Sequence, residues 1–275
     1  MQISKLELLY RLSSNPEGVP VLFVHGIFSG AWIWDEYYLP WFADQGYQAY
    51  ALSFRGHGRS SAPDPAGQYR LEDYVQDLSD AIDIIRRKHG QEPLLVGHSM
   101  GGMVVQSYLS RFRGRGAILL ASVPPQGLVP LSWANLFSHP LESLTLSRSY
   151  FFPELTTPAE FHQAMFVGPV EADKLLRWMH QLVPESFALL WDMSWLDLPR
   201  IHQVRKTPLA VVGARQDRVI PPAMVTLTAA TYGCSAYWAE AGHGLMLDSH
   251  WQEGARAIDE ALTALLEEKS SEATA

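Results

Sequence analysis

The chain has 275 residues, 47% of them apolar and 18% charged, the composition of a folded globular protein that can bury a sizeable core. Its 21 basic residues face 29 acidic ones, a formal charge of −8, which argues against a nucleic-acid partner and against attraction to an anionic membrane surface. The single cysteine, Cys234, excludes intrachain disulfides and thiolate-rich zinc sites and reads as a small buried hydrophobe. Residues 1–20 show no continuous apolar segment of a secretory leader, and no apolar run is long enough for a transmembrane helix. A cytoplasmic protein with no integral membrane segment is the expectation.

In chain order, Ile3 to Leu12 alternates as a half-exposed strand, with Leu6, Leu8 and Tyr10 on one face. Val19 to Val24 is short and continuously apolar, as suits a strand covered on both faces. Similar runs span Gln48 to Phe54, Pro93 to Gly97, Gly116 to Val123, Pro208 to Gly213 and Ser235 to Ala239. Helical spacing fills Leu71 to His89, Met100 to Phe112 and Trp251 to Glu268, and residues 267–275 are expected to fray. Strands alternating with helices predict an α/β fold with a doubly wound, mostly parallel sheet. In such sheets ligands bind beyond the carboxyl ends of the strands.

Residues 124–207 break the alternation. They hold helix-like pieces punctuated by proline and are expected to form a helical cap inserted into a core domain of 1–123 and 208–275.

Gly97-His98-Ser99-Met100-Gly101 fits G-x-S-x-G between a strand and a helix. A serine on so sharp a turn is exposed at the sheet edge, and small neighbours let strand and helix pack closely. The helix N-terminus then points its free amides at a developing oxyanion. Serine needs a base, and the base needs an orienting acid. His243, between Gly242 and Gly244 after the last strand, is the candidate base, and Asp217, after the run 208–213, is the candidate acid. The chain order Ser99, Asp217, His243 fits a serine hydrolase triad. The oxyanion donors are expected to be the Met100 and Ile27 amides, with Phe28 as second choice, and His25 reads as a brace of that loop.

HGIFSG at 25–30, FRGHGRS at 54–60, GHSMGG at 97–102 and the Asp217 and His243 loops together resemble the α/β-hydrolase fold, from about Val19 to Leu266. The resemblance implies Ser99 as nucleophile, His243 as base, Asp217 as acid, Ile27 and Met100 as the oxyanion hole, and a structural role for His57. Longer members of the family carry two strands before Val19, whereas one is visible here. Haloalkane dehalogenases and epoxide hydrolases of this fold carry aspartate at the elbow, so Ser99 argues against both.

The expected reaction is therefore hydrolysis of small-molecule carboxylic esters with a hydrophobic part, without cofactor or metal. The pocket is expected to use Phe28, Trp133, Phe137, Phe152, Phe166, Trp191 and Leu245. Two alternatives use the same fold. One is hydrolysis of a carbon–carbon bond in a ring-cleavage product, held by Arg148, Lys174 or Arg177. The other is a non-catalytic ligand-binding protein.

Overall fold

A computed structural model describes residues 5–63, 67–132, 148 and 156–272, with side chains described to Glu268. Strands β1 (Glu7–Leu12), β2 (Pro20–Val24), β3 (Gln48–Ser53), β4 (Leu94–His98), β5 (Ala117–Leu120), β6 (Leu209–Ala214) and β7 (Ser235–Ala239) form one sheet in the order β1-β3-β2-β4-β5-β6-β7. Among the described residues only β1 is antiparallel, paired with β3, and it is the one described strand before Val19. The other pairings are parallel.

The continuous apolar runs have a simple cause, since each inner strand is covered on both faces. Leu22 and Val24 pack with helices α3 (Leu71–His89) and α4 (Met100–Leu109), in a core that also takes in Leu78, Ile82 and Met103. Val21 and Phe23 pack the other way, against Trp34, Tyr38 and Phe42 and against Ile258 and Leu262. These come from α1 (Trp32–Asp35), α2 (Tyr38–Asp44) and the final helix, which runs from Trp251 to Glu272. That helix continues past the expected fraying point at residue 267. A further helix spans Pro222–Tyr232, directly after Pro221.

Strand order reverses between β2 and β4, which are adjacent although β3 lies between them in sequence. Val24 pairs with Gly97 at the carboxyl ends, so the loops after both strands emerge side by side at the switch point.

Between β5 and β6 the described residues hold α5 (Pro158–Met165), α6 (Ala172–Met179), α7 (Phe187–Trp191) with a π turn over Asp192–Leu196, and α8 (Ile201–Val204). Buried acids fasten this insertion to the core. Asp192 takes the Arg70 guanidinium and the Leu71 N–H at 3.0 Å, so an acid of the insertion sits at the N-terminus of α3. Glu185 accepts from Tyr74 Oη at 2.7 Å and pairs with His57 at 3.3 Å. On the opposite side Arg177 binds Glu36, and Lys174 donates to Tyr37 Oη at 3.1 Å.

Candidate active site

Ser99 follows β4 directly and caps α4 with φ 53° and ψ −118°, a left-handed geometry that costs free energy for any residue with a Cβ. The turn exists because the backbones on either side come into contact. A Cβ on Gly101 would lie 2.6 Å from the Val24 carbonyl, so α4 could not approach β2 with a larger residue there. The reward is placement, since Ser99 is delivered beside the loop that leaves β2.

That loop is braced from within. His25 is fully buried, shares a 2.7 Å hydrogen bond with the Gly26 carbonyl through Nδ1, and accepts the Phe54 N–H at Nε2. Burial, reinforced by the nearby His57, drives its pKa well below the ordinary histidine value, so it stays neutral and serves as the expected brace. Phe28 also has a positive φ, 64°, and its carbonyl accepts the Val183 N–H at 2.9 Å, which joins the loop to the insertion. The backbone amides of Ile27 and Met100 have no acceptor among the described residues, and both belong to turns that border Ser99.

Asp217 leaves the end of β6. Its Oδ1 accepts the N–H groups of Val219 and Ile220 at 2.7 and 2.8 Å, and its Oδ2 meets His243 Nδ1 at 2.8 Å. The carboxylate therefore places the ring proton on Nδ1 and leaves Nε2 as the acceptor. Both residues are buried. The Ser99 hydroxyl makes no hydrogen bond among the described residues, although Ser99 and His243 line the same cavity.

His98 was not singled out by the sequence. Its Nε2 donates to the His243 carbonyl at 3.0 Å, and the two rings lie 4.6 Å apart. Burial first, then His243, pushes its pKa well down, so the residue just before the serine fixes the base loop as a neutral donor. No sequence signal marks this, because the second position of G-x-S-x-G is unrestricted.

The cavity measures about 390 Å³, within the range of small-molecule sites. Its lining is largely apolar and comes from the loop after β2, the Asp217 and His243 loops, and the turns after α5 and α6. Of the expected pocket residues, Phe28 and Phe166 line it. Trp133, Phe137 and Phe152 lie outside the described residues. Two expectations need correction. Trp191 is 54% exposed and packs on Trp195, because the register of α7 turns it away from the cavity. Leu245 is fully buried in the core against Gly254, so its neighbours Gly244 and Met246 face the cavity instead. Leu182 and Val183 also line the cavity, and as isolated aliphatic residues they carry no signal in the sequence.

Cys234 is partly rather than fully buried, and burial raises its thiol pKa to about 11, consistent with an inert side chain. Among the described residues no cluster of His, Cys, Asp and Glu could hold a metal, and no helix is long and apolar enough to cross a membrane.

Comparison with known proteins gives the same picture. The chain is 28% identical over 222 residues to a monoacylglycerol lipase of Mycolicibacterium smegmatis, covering 76% of this chain and 74% of that protein. A shorter match, 36% over 124 residues, is to a non-heme chloroperoxidase of Streptomyces lividans and spans 43% of this chain and 42% of that protein. In fold it is similar to a bromoperoxidase from Bacillus anthracis, with a TM-score of 0.70 at 21% identity and 96% of each chain covered. It is also similar to a monoacylglycerol lipase from Paleococcus ferrophilus, with a TM-score of 0.65 at 18% identity, covering 95% of this chain and 99% of that one. The family model described as "Alpha/beta hydrolase family" matches residues 21–257, and with this sheet order and elbow the chain belongs to the alpha/beta hydrolase family.

Proposed function

We propose that the protein hydrolyses carboxylic esters with a hydrophobic acyl or alkyl part through a Ser99–His243–Asp217 triad. The observation that carries this reading is the meeting of the strained Ser99, the carboxylate-held His243 and two unengaged amides at one largely apolar cavity. The relatives named as lipases point the same way.

In this mechanism Ser99 Oγ attacks the ester carbonyl and His243 Nε2 takes its proton. The Ile27 and Met100 amides hold the oxyanion, each donor supplying roughly 3–4 kcal/mol to the transition state. The carbon–oxygen bond to the alcohol breaks, His243 returns the proton to the departing alkoxide, and an acyl-enzyme remains. Water activated by the same imidazole releases the acid and restores Ser99. Asp217 stabilises the imidazolium throughout.

The insertion acts as a cap by supplying one wall of the cavity. Glu160 is the one Asp, Glu, Lys or Arg among the described lining residues, and the Thr157 amide and hydroxyl, with Arg148, hold its pKa down to about 2. An anionic acyl group would meet that carboxylate, so neutral chains are the fitting substrates. The cations that carbon–carbon hydrolysis would need are committed elsewhere, Arg148 to Glu160, Lys174 to Tyr37 and Arg177 to Glu36.

Initial rates on p-nitrophenyl esters from acetate to palmitate, with Ser99→Ala as control, test the proposal. A chain-length optimum that vanishes in the variant is expected. Folded protein with no activity on any ester, or Ser99→Ala with near-native activity, would overturn it.

A further inference from the structure

The candidate base loop is held from an unexpected direction. Gly244 donates its N–H to the Met165 carbonyl at 2.7 Å, so residues beside His243 are bonded to the wall formed after α5. The fit is close, as a Cβ on Gly242 would lie 2.6 Å from the Met165 carbonyl and one on Gly244 would lie 2.6 Å from Phe166 Cε1. Met165 and Phe166 themselves line the substrate cavity.

A second bond system runs through Asp248, whose side chain is wholly buried. Its Oδ2 accepts the Val167 N–H at 2.9 Å and lies 3.5 Å from the Gly242 N–H, while Oδ1 accepts the His250 N–H at 3.2 Å. Burial disfavours the charge, but the amides of Val167, His250, Gly242 and Gly168 outweigh it and hold the carboxyl below its ordinary pKa. A carboxylate that served only the N-terminus of the final helix would need His250 and nothing from Val167.

We propose that Asp248 is a positioning residue that ties the cavity wall to the base loop, so that acyl-chain packing on Met165 and Phe166 aligns His243 on Ser99 and raises kcat. The proposal rests on the reading of His243 as general base. It bears on the Ser99 hydroxyl, which lines the same cavity as His243 and makes no hydrogen bond among the described residues. A short acyl group leaves the wall uncontacted. A longer one presses on the wall, and the shared carboxylate and the Gly244–Met165 bond carry the shift to the loop.

The test is Asp248→Asn, which keeps size but loses the charge and one acceptor oxygen. Active sites are counted with an alkyl fluorophosphonate, and kcat and KM are measured on p-nitrophenyl acetate and octanoate. Misplacing a reacting group by an ångström can cost about 100-fold, and a kcat loss of that order is expected on octanoate with KM nearly unchanged. Acetate should lose far less, so the rise of kcat with chain length disappears. Asp248→Glu, which retains the carboxylate, should restore part of that rise. Equal losses on both esters, or no loss, would overturn the proposal. If Asp248→Asn does not fold, Val167→Pro removes the donated N–H and leaves the carboxylate in place.

Amide exchange with octanoic acid as probe gives a readout independent of turnover. In the native protein the probe should protect residues 165–168 and 242–244 together, and in Asp248→Asn only the former. Identical patterns in both proteins would sink the coupling even if the enzyme is an active esterase. Absence of ester turnover in the native protein would instead remove the functional reading and leave the exchange result to decide the coupling.

Discussion

The nucleophile and the base of the candidate site are held by different kinds of structure. Ser99 sits on a turn pinned by sheet backbone, where Gly101 packs against the Val24 carbonyl inside the core. His243 sits on a loop whose neighbours bond to the insertion through Met165 and Asp248. The first arrangement is fixed by the same packing that makes the sheet, so it cannot shift without loss of the fold. The second is tied to strand ends through Asp217 and the His98–His243 carbonyl bond, and its flanking residues also bond to a segment that walls the cavity. Under the proposed coupling, the base side is the one that responds to what the cavity holds.

The largest expected effect breaks the base side. Asp217→Asn would present an amide where Oδ2 now faces His243 Nδ1, reversing the tautomer, and kcat should fall by about 10⁴ with little change in KM. A fall of only a few-fold in steady-state rates would remove Asp217 from the triad.

The next sharpens the contrast between the two sides. Gly101→Ala drives a Cβ into backbone of the core and should cost about 1–3 kcal/mol or more of stability, read as a lowered Tm. Gly244→Ala meets the edge of the Phe166 ring, a side chain that can move, so its Tm should fall less while its rates change. Equal Tm losses would show that both loops are equally bound to the core.

A smaller effect concerns the wall. Ala164→Leu adds side-chain volume to the cavity, and each methylene no longer accommodated should weaken transition-state binding by about 0.8 kcal/mol, shifting the ester optimum to shorter chains. An unchanged optimum would place the acyl chain elsewhere.

The smallest effect is read by pH. Burial opposes charge on His57, but the hydrogen bond and charge of Glu185 outweigh it, and its pKa is raised. A raised folded value makes its stability contribution complete below the ordinary histidine value of about 6.5 and lost as pH climbs through the folded value. Thermal unfolding across that window should show a decline with rising pH that Glu185→Gln abolishes. A slope that survives the substitution would assign it to another group.

Much of this organisation is legible in the sequence for physical reasons. Continuous apolar runs such as Val19 to Val24 mark strands because helices cover both sheet faces. The positions of Ser99, Asp217 and His243 are legible because sharp turns at strand ends demand particular neighbours. The helix over Pro222–Tyr232 is marked only by its prolines, since its apolar and small residues are spread around the axis without a polar face. The cavity lining is not legible. Whether Trp191 or Met165 faces inward is decided by how each short helix docks, and the buried contacts of Asp192 and Glu185 with α3 settle that docking across a long sequence separation.

The chain order of the strands separates the parts of the proposed triad. The loop after β2, the serine turn and strands β1 to β5 all come from the first 123 residues, whereas Asp217 and His243 arrive with β6, β7 and the loops that follow them. The proposed acid and base therefore take their places only once β6 and β7 have paired onto β5.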